Sequence, residues 1–499
     1  MNIQVKSGEI TKTATEVLVC LNYEKDKTLD KHIKALDGAL GGQLTNRHKS
    51  GEFQGKPNQS TLVHINGKIS ARRVLLVGAG PREDLTLERL RQAMGTAAKR
   101  VRQVKAKGFT CAIPEVPKSV GQTESVAQAM VEGAILADYR FTEYRTDSSR
   151  NEKNLQTCTL LVSQGSDLPE VKEGANRGKV LGEAACFVRD LCNHPANVMK
   201  PSRVVAEARK IARESKIRLK VLEKKDMEKL GMGGLLGVSR GSIEPPAFII
   251  LTYSGGRATQ KPIVFVGKTV TFDSGGISLK PSENMEQMKA DMTGGAEVLA
   301  TVRSASRLKL PMNIVGILPV TENMPGGRAT KPGDVLTMLS GKTVEVQNTD
   351  AEGRLILADG LAYAGRLKPA CVIDIATLTG ACVVALGQFA IGMLGTDESL
   401  KNDLRKAGES AGERVWELPL WDVYFEQLKS DVADMRNIGG RGGGTITAAL
   451  FLKQFIGDYP WAHLDIASTD WGTTERAYVP KGPTGIGTRL LIQFLLNKT

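Results

Sequence analysis

Short β-rich apolar runs alternate with amphipathic helical runs along the whole chain, which predicts an α/β protein, and two further observations set its architecture. At 499 residues the chain exceeds one ordinary core. Two domains are therefore expected: a small N-terminal α/β domain over residues 1–165, and a larger three-layer α/β/α domain over 166–499. The strands of the second part read as continuous apolar runs, the pattern of a mostly parallel sheet covered on both faces. Hydrophobic residues make up 41%, enough for packed interiors and against disorder.

In the first part, Val17–Leu21, Thr61–Ile65 and Val74–Gly78 read as strands, and Leu85–Val104 and Ser125–Ala137 as helices. Gly78-Ala79-Gly80 ends a strand without completing a GxGxxG fingerprint, so it is read as a turn. No catalytic constellation falls here, which points to a scaffolding or regulatory domain. Tyr144–Asn154 reads as a loop, Thr159–Val162 as a strand, and Ser163–Pro169 as the linker. A helix from Glu170 to Cys192 follows, then helix Ser202–Ser215, strand Leu219–Val221, helix Lys224–Leu230 and strand Ala247–Leu251. Strand Ile263–Val266, helix Gly294–Leu308, strands Asn313–Leu318 and Thr343–Val346, a helix from Leu355, and strand Cys371–Ala376 continue the alternation. The glycine-rich loop 437–445 leads into a helix over Ala448–Phe455.

Composition narrows the function classes. No apolar run approaches the roughly 20 residues that span a bilayer, and the first residues lack the apolar segment of a signal peptide. Seven scattered cysteines without a CxxC pair read as reduced thiols of a cytoplasmic protein. The formal charge is +13; residues 1–165 carry 25 Lys and Arg against 17 Asp and Glu, so most of the excess lies in the first third. These charges are spread singly, as on a solvated surface, with nucleic-acid contact as the second reading. Five dispersed histidines without an HExxH disfavour a histidine-dominated zinc site.

The chemistry concentrates in two stretches. Asn348-Thr349-Asp350-Ala351-Glu352-Gly353-Arg354 lies between a strand and a helix. Alternate residues of an extended segment share a side, so Asp350 and Glu352 could aim at one point. Carboxylates that close raise each other's pKa unless a positive charge separates them, and a divalent cation is the usual remedy; the alternative is a solvated acidic turn. Upstream, the loop Gly267–Pro281 follows a buried strand, where open α/β sheets place ligands. It supplies Lys268, Asp273 and Lys280, with Asp291 beyond it. Four carboxylates (Asp273, Asp291, Asp350, Glu352) suit hard divalent ions such as Mn²⁺ while still accepting Zn²⁺.

These two stretches, with Asn437-Ile438-Gly439-Gly440 and Trp461-Ala462-His463-Leu464-Asp465-Ile466-Ala467, closely resemble the leucyl aminopeptidase family of two-metal exopeptidases. The resemblance runs nearly end to end and is strongest over residues 190–495. It implies that Lys268 and Asp291 hold a tighter metal and Asp350 a more exchangeable one, with Asp273 and Glu352 bridging. It also implies that Lys280 stabilises the oxyanion and that Arg354 holds a bicarbonate which shuttles a proton. A side-chain pocket is implied at Met288, Thr377, Leu378 and Gly380, with a preference for Leu or Met; from periodicity alone Met288 reads equally as a helix core residue. Glu297 departs from the small residue expected there, and its helix placement suggests a surface position. Members assemble as hexamers, and some bacterial relatives bind DNA. A two-metal phosphoesterase is the alternative enzyme class, since similar carboxylate clusters serve phosphoryl transfer.

Overall fold

The computed structural model describes residues 1–24, 31–65, 67–147, 153–163 and 165–499. Parts of the expected loop Tyr144–Asn154 and one residue of the expected linker lie outside them. The chain divides into two compact units, Met1–Cys186 with Thr474–Pro480, and Phe187–Thr473 with Lys481–Thr499.

The first unit carries a six-stranded sheet of β1 (Asn2–Ser7), β2 (Leu18–Glu24), β3 (Ser60–His64), β4 (Arg73–Pro81), β5 (Gly108–Ala112) and β6 (Thr157–Val162), in the order β1-β6-β5-β2-β4-β3. All neighbours are parallel except the β3–β4 pair. Its helices are α1 (Lys31–Ala39), α2 (Gln43–Lys49), α3 (Leu87–Gln103), α4 (Thr123–Asp138) and the first part of α5 (Leu168–Asn193). Leu18, Cys20, Val74 and Leu76 alternate onto one face of the sheet and pack with Leu36, Leu40 and Phe53. The end of the expected linker is already helical, since Leu168 opens α5.

In the second unit, nine strands form one sheet: β7 (Ile217–Leu222), β8 (Ala247–Ser254), β9 (Ile263–Gly267), β10 (Thr269–Asp273), β11 (Asn313–Asn323), β14 (Cys371–Ala376), β15 (Ile391–Gly395), β16 (Val415–Glu417) and β18 (Trp461–Asp465). The order is β16-β15-β18-β14-β9-β11-β8-β7, with β10 also pairing β11. The central run β18-β14-β9-β11 is parallel, as the continuous apolar runs predict. Antiparallel pairs come towards the edges, at β15–β18, β11–β8 and β8–β7. A small separate sheet joins β12 (Val335–Thr337), β13 (Thr343–Glu345) and β17 (Met435–Arg436).

Helices α6 (Pro201–Glu214), α7 (Lys224–Leu230), α8 (Gly233–Ser239), α9 (Thr293–Arg307), α10 (Gly353–Gly365), α11 (Gly380–Leu386), α12 (Glu398–Ala411), α13 (Gly444–Lys453) and α14 (Thr488–Leu496) complete this unit. α10 is apolar almost all round and is buried among Val264, Val266, Ile317 and Phe451. Its one buried carboxylate, Asp359, is not idle: it accepts hydrogen bonds from Leu235 N and Leu339 N, both at 2.9 Å. Burial pushes its pKa up to about 7 although those donors favour the charged form. Asp359→Ala removes the acceptor and leaves two buried N–H groups unmet, so stability is expected to fall by about 2–4 kcal/mol. Denaturant unfolding of Asp359→Ala beside Asp359→Asn, which keeps one acceptor oxygen, measures this; equal stability of the alanine variant would contradict it.

Among the described residues no helix is long and apolar enough to cross a membrane.

Candidate active site

The carboxyl ends of the central parallel strands set the site, where loops leave an open α/β sheet. β9 ends at Gly267 and β10 starts at Thr269, so Lys268 sits at a break between them. Its backbone is pinned on both sides: Lys268 N donates to Ile375 O (3.1 Å), and Gly295 N donates to Lys268 O (2.8 Å). That approach requires the glycines at the start of α9. A Cβ on Gly294 would lie 2.1 Å from Ile375 O, well inside contact. The glycine pair thereby lets α9 and the preceding Asp291 come down onto the strand ends.

Around this break the predicted residues converge. Lys268 Nζ lies 2.7 Å from Asp291 Oδ1 and 2.9 Å from Glu352 Oε1, and donates to Thr377 O at 2.9 Å. Lys280 Nζ lies 2.8 Å from Asp273 Oδ2 and 2.5 Å from Asp350 Oδ1. One oxygen each of Asp273, Asp350 and Glu352 fall within 4.8 Å of one another. Thr377 Oγ1 donates to Asp291 Oδ1 at 2.7 Å, so residues 273, 280, 291, 350, 352 and 377 form one polar cluster with Lys268.

Two local structures differ from the extended and looped forms expected. The first half of the stretch after Gly267 is the strand β10, paired with β11. Asp350 lies in a turn and Glu352 is the helical N-cap of α10 (φ −79°, ψ −34°). The two carboxylates therefore meet across a helix start and not along a strand. The turn is held by its neighbours: Thr349 Oγ1 donates to Gly275 O (2.6 Å) and Ser278 N donates to Thr349 Oγ1 (2.8 Å). Gly275 and Gly276 bend the opposing loop with φ of 88° and 69°, a region that glycine alone enters freely.

Charge is crowded here. Burial and the neighbouring Asp273 raise the pKa of both Glu352 and Asp350, and burial raises that of Asp291 well above the carboxylate range. The lysines move the other way from what burial dictates. Asp291, Glu352 and Asp273 outweigh desolvation at Lys268, and Asp273, Glu352 and Asp350 do so at Lys280, so both ammonium groups are held charged. Arg354, in the first turn of α10, is pushed down to about 10 by burial against the pull of Glu352 and Asp465. Its Nη1 donates to Asn437 O (2.9 Å), while Nε is buried without a partner among the described residues.

The pocket residues are placed less uniformly. Met288 is half-buried in the 3-10 turn Met285–Ala290, and its carbonyl accepts from Asp291 N (3.2 Å). Leu378 is half-buried and Gly380 exposed, both following Thr377. Glu297 is not at the surface: α9 is covered on nearly all sides, and this side chain is 0% exposed.

The structure also enlists Asn323, which no motif contains, and gives contacts to Asn437, Trp461, His463 and Asp465, which the motifs contain without a role assigned to them. Asn323, at the end of β11, donates from Nδ2 to Asp273 Oδ1 (2.8 Å) and Thr349 O (3.0 Å). Asn437 Oδ1 accepts from Gln347 N (2.9 Å), and its Nδ2 donates to Asn348 O (2.6 Å). Asp465 accepts from Leu378 N (3.1 Å) and Thr379 Oγ1 (2.7 Å), which shapes the bend after β14. Beside it, His463 Nδ1 and Trp461 Nε1 share the carboxylate of Asp374 at 2.6 and 2.7 Å in a fully buried triplet. The position of Asn323 at a strand's carboxyl end was the available signal; the Asp374–His463 pair has none in the local sequence.

Comparison with known proteins shows the family to which the chain belongs. Residues 186–492 match the catalytic-domain model of the cytosol aminopeptidase family, and residues 17–148 match its N-terminal domain model. A Geobacter species has a "Probable cytosol aminopeptidase" 46% identical over 500 residues, covering all of both chains. That of Geotalea uraniireducens is 48% identical over 466 residues, 92% of each chain. A tomato leucine aminopeptidase structure superposes with a TM-score of 0.89 at 30% identity, over 100% of this chain and 96% of the other. The bottromycin maturation enzyme BotP in complex with Mn gives 0.84 at 35%, over 97% and 100%. The chain belongs to the cytosol aminopeptidase family and is a peptidase, a hydrolase that cuts peptide bonds.

Proposed function

We propose that this chain is a two-metal aminopeptidase that removes unblocked N-terminal residues from peptides, Leu and Met among them. The observation that carries the reading is the convergence of four carboxylates on Lys268 and Lys280 at the carboxyl ends of parallel strands. Lys268, Asp273, Asp291, Asp350 and Glu352 would hold the ions, Mn²⁺ or Zn²⁺. The donor set fits them: three carboxylate oxygens face one another, and Asp291 Oδ2 is buried without a hydrogen-bond partner. Once Lys268 gives up its proton, four carboxylates match the charge of two divalent ions. Bound there, such a pair supplies Lewis acidity towards water and the scissile carbonyl. The BotP relative is a manganese complex.

The remaining steps belong to the side chains. Lys280 stays protonated among three carboxylates and would donate to the oxyanion that develops on the scissile carbonyl. Arg354 offers a fork for a planar anion; its unpartnered Nε suits bicarbonate, whose chemistry there is that of a proton acceptor. Met288, Thr377, Leu378 and Gly380 would receive the first side chain. The acidic surround favours a free α-amine and gives an acylated terminus nothing to hold. Leu-peptides are therefore expected to be cleaved, and their N-acetyl forms turned over at least about 10³-fold more slowly, by analogy with sites whose polar groups lose their partner. Comparable turnover of both forms would end this reading of substrate recognition, and release of phosphate from simple esters would favour the phosphoesterase alternative.

Catalysis is assigned to residues 166–499 and a non-catalytic role to 1–165, in an enzyme of the cytoplasm that assembles as a homohexamer, which sedimentation tests. The basic excess of the first part also supports DNA contact. A mobility shift that weakens steeply between low and physiological salt is the expected result; no shift at low salt excludes it.

A further inference from the structure

Helix α9 carries a carboxylate that the proposed site does not use. Glu297 is 0% exposed, and among the described residues neither Oε1 nor Oε2 has a hydrogen-bond partner. Both oxygens lie 2.7 Å from where a Cβ on Gly487 would stand, so the carboxyl is seated against the N-cap of α14. Two hydroxyls from the same segments share its condition. Thr301 lies one turn along α9 on the face of Glu297, and Thr488 directly follows Gly487. Both are 0% exposed, and both Oγ1 atoms are unpartnered. Four buried oxygens thus lie on two helices that pack together, each without a donor or acceptor.

Protein interiors satisfy nearly all such atoms, and an exception calls for an unseen partner. Two main-chain donors at this helix start are already engaged: Glu413 Oε2 accepts from Gly487 N (2.9 Å) and Leu490 N (2.8 Å). Arg489, in the first turn of α14, is engaged too, since its Nε lies 3.0 Å from Glu413 Oε1. The other charges that bear on Glu297 are those of Glu413 and Asp470, both of which oppose its ionisation. A proton alone neutralises the carboxyl but joins none of the four oxygens, because direct pairs among them would already fall within hydrogen-bonding distance. A small cation does both. Oxygen-only donors select a hard ion, and one unpaired carboxylate with two neutral hydroxyls balances a single charge.

We propose that Glu297, Thr301 and Thr488 form a buried site for a monovalent alkali cation between α9 and α14. The ion ties the C-terminal helix to the helix that follows Asp291, and so stabilises the scaffold of the active site without entering it.

The test is thermal unfolding of the full chain, saturated with its divalent metal, in KCl, NaCl and tetramethylammonium chloride at equal ionic strength. A saturable rise in Tm of about 3–6 °C is expected with K⁺ or Na⁺ over the organic cation. Glu297→Gln should lose that difference while still folding, because the amide has the same shape and leaves no unpaired charge in the interior. Equal Tm in all three salts for the unaltered protein would overturn the proposal, as would a full alkali effect in Glu297→Gln. If the variant does not fold, crystals of the unaltered protein soaked in RbCl decide. An anomalous peak between Glu297 and Thr488 supports the site, and a water or nothing there refutes it.

Discussion

Asp273→Asn is expected to lower kcat/KM by about 10⁴-fold or more and to bring bound divalent metal below two ions per chain. The substitution keeps the side chain's shape and its Oδ1, which accepts from Gly275 N at 2.9 Å and from Asn323 Nδ2 at 2.8 Å. The loop that carries Lys280 is therefore retained. What is removed is one negative charge at the point where Lys280, Asp350 and Glu352 meet. A pair of ions contributes several kcal/mol of transition-state stabilisation, and each 1.36 kcal/mol is about tenfold in rate. Asp273 would be one of the residues that hold the pair, so its substitution is expected to forfeit most of it. Metal analysis of the variant beside its kinetics checks both halves. A variant that keeps two ions and near-normal activity would show that Asp273 is a structural anchor and not a ligand.

Lys280→Ala is expected to act differently: kcat falls by about 10²–10³-fold, the range for one lost oxyanion donor, while metal content and KM change little. The distinction follows from placement. Lys268 is 4% exposed and is enclosed by Asp291, Glu352 and the Thr377 carbonyl, the surroundings of a ligand. Lys280 is 22% exposed and follows the glycine-bent turn, the surroundings of a group that meets substrate. Loss of both metals in Lys280→Ala would reverse these two assignments.

Much of this site is legible in the sequence because its charged residues cluster in two glycine-punctuated stretches at strand ends. Seven of the charged groups needed no three-dimensional information to name, although the geometric reason first given for Asp350 and Glu352 fails. They converge because a turn feeds directly into α10, not because strand residues alternate. Asn323 escaped because Pro319 reads as the end of a strand, lacking an N–H for the ladder; β11 runs through it, with Pro319 opposite Phe248. β1 and β5 escaped for a different reason. β1 is a half-exposed edge with a mixed pattern, and β5 opens on Gly108 and closes on Ala112, both poor strand formers, so neither offers a periodic run. Glu297 was misplaced because amphipathicity assigns charge to the outside of a helix, whereas α14 covers the side of α9 that the sheet does not. Contacts such as Asp374–His463, 89 residues apart, leave no local trace at all.

The most direct measurement is elemental analysis of the purified protein, joined to peptidase activity after chelator stripping and stepwise reloading with Mn²⁺ or Zn²⁺. Two ions per chain are predicted, with hydrolysis of Leu-peptides lost on stripping and regained in proportion to reloading. Full hydrolysis by protein verified to hold no divalent metal would contradict the assignment of these carboxylates as ligands.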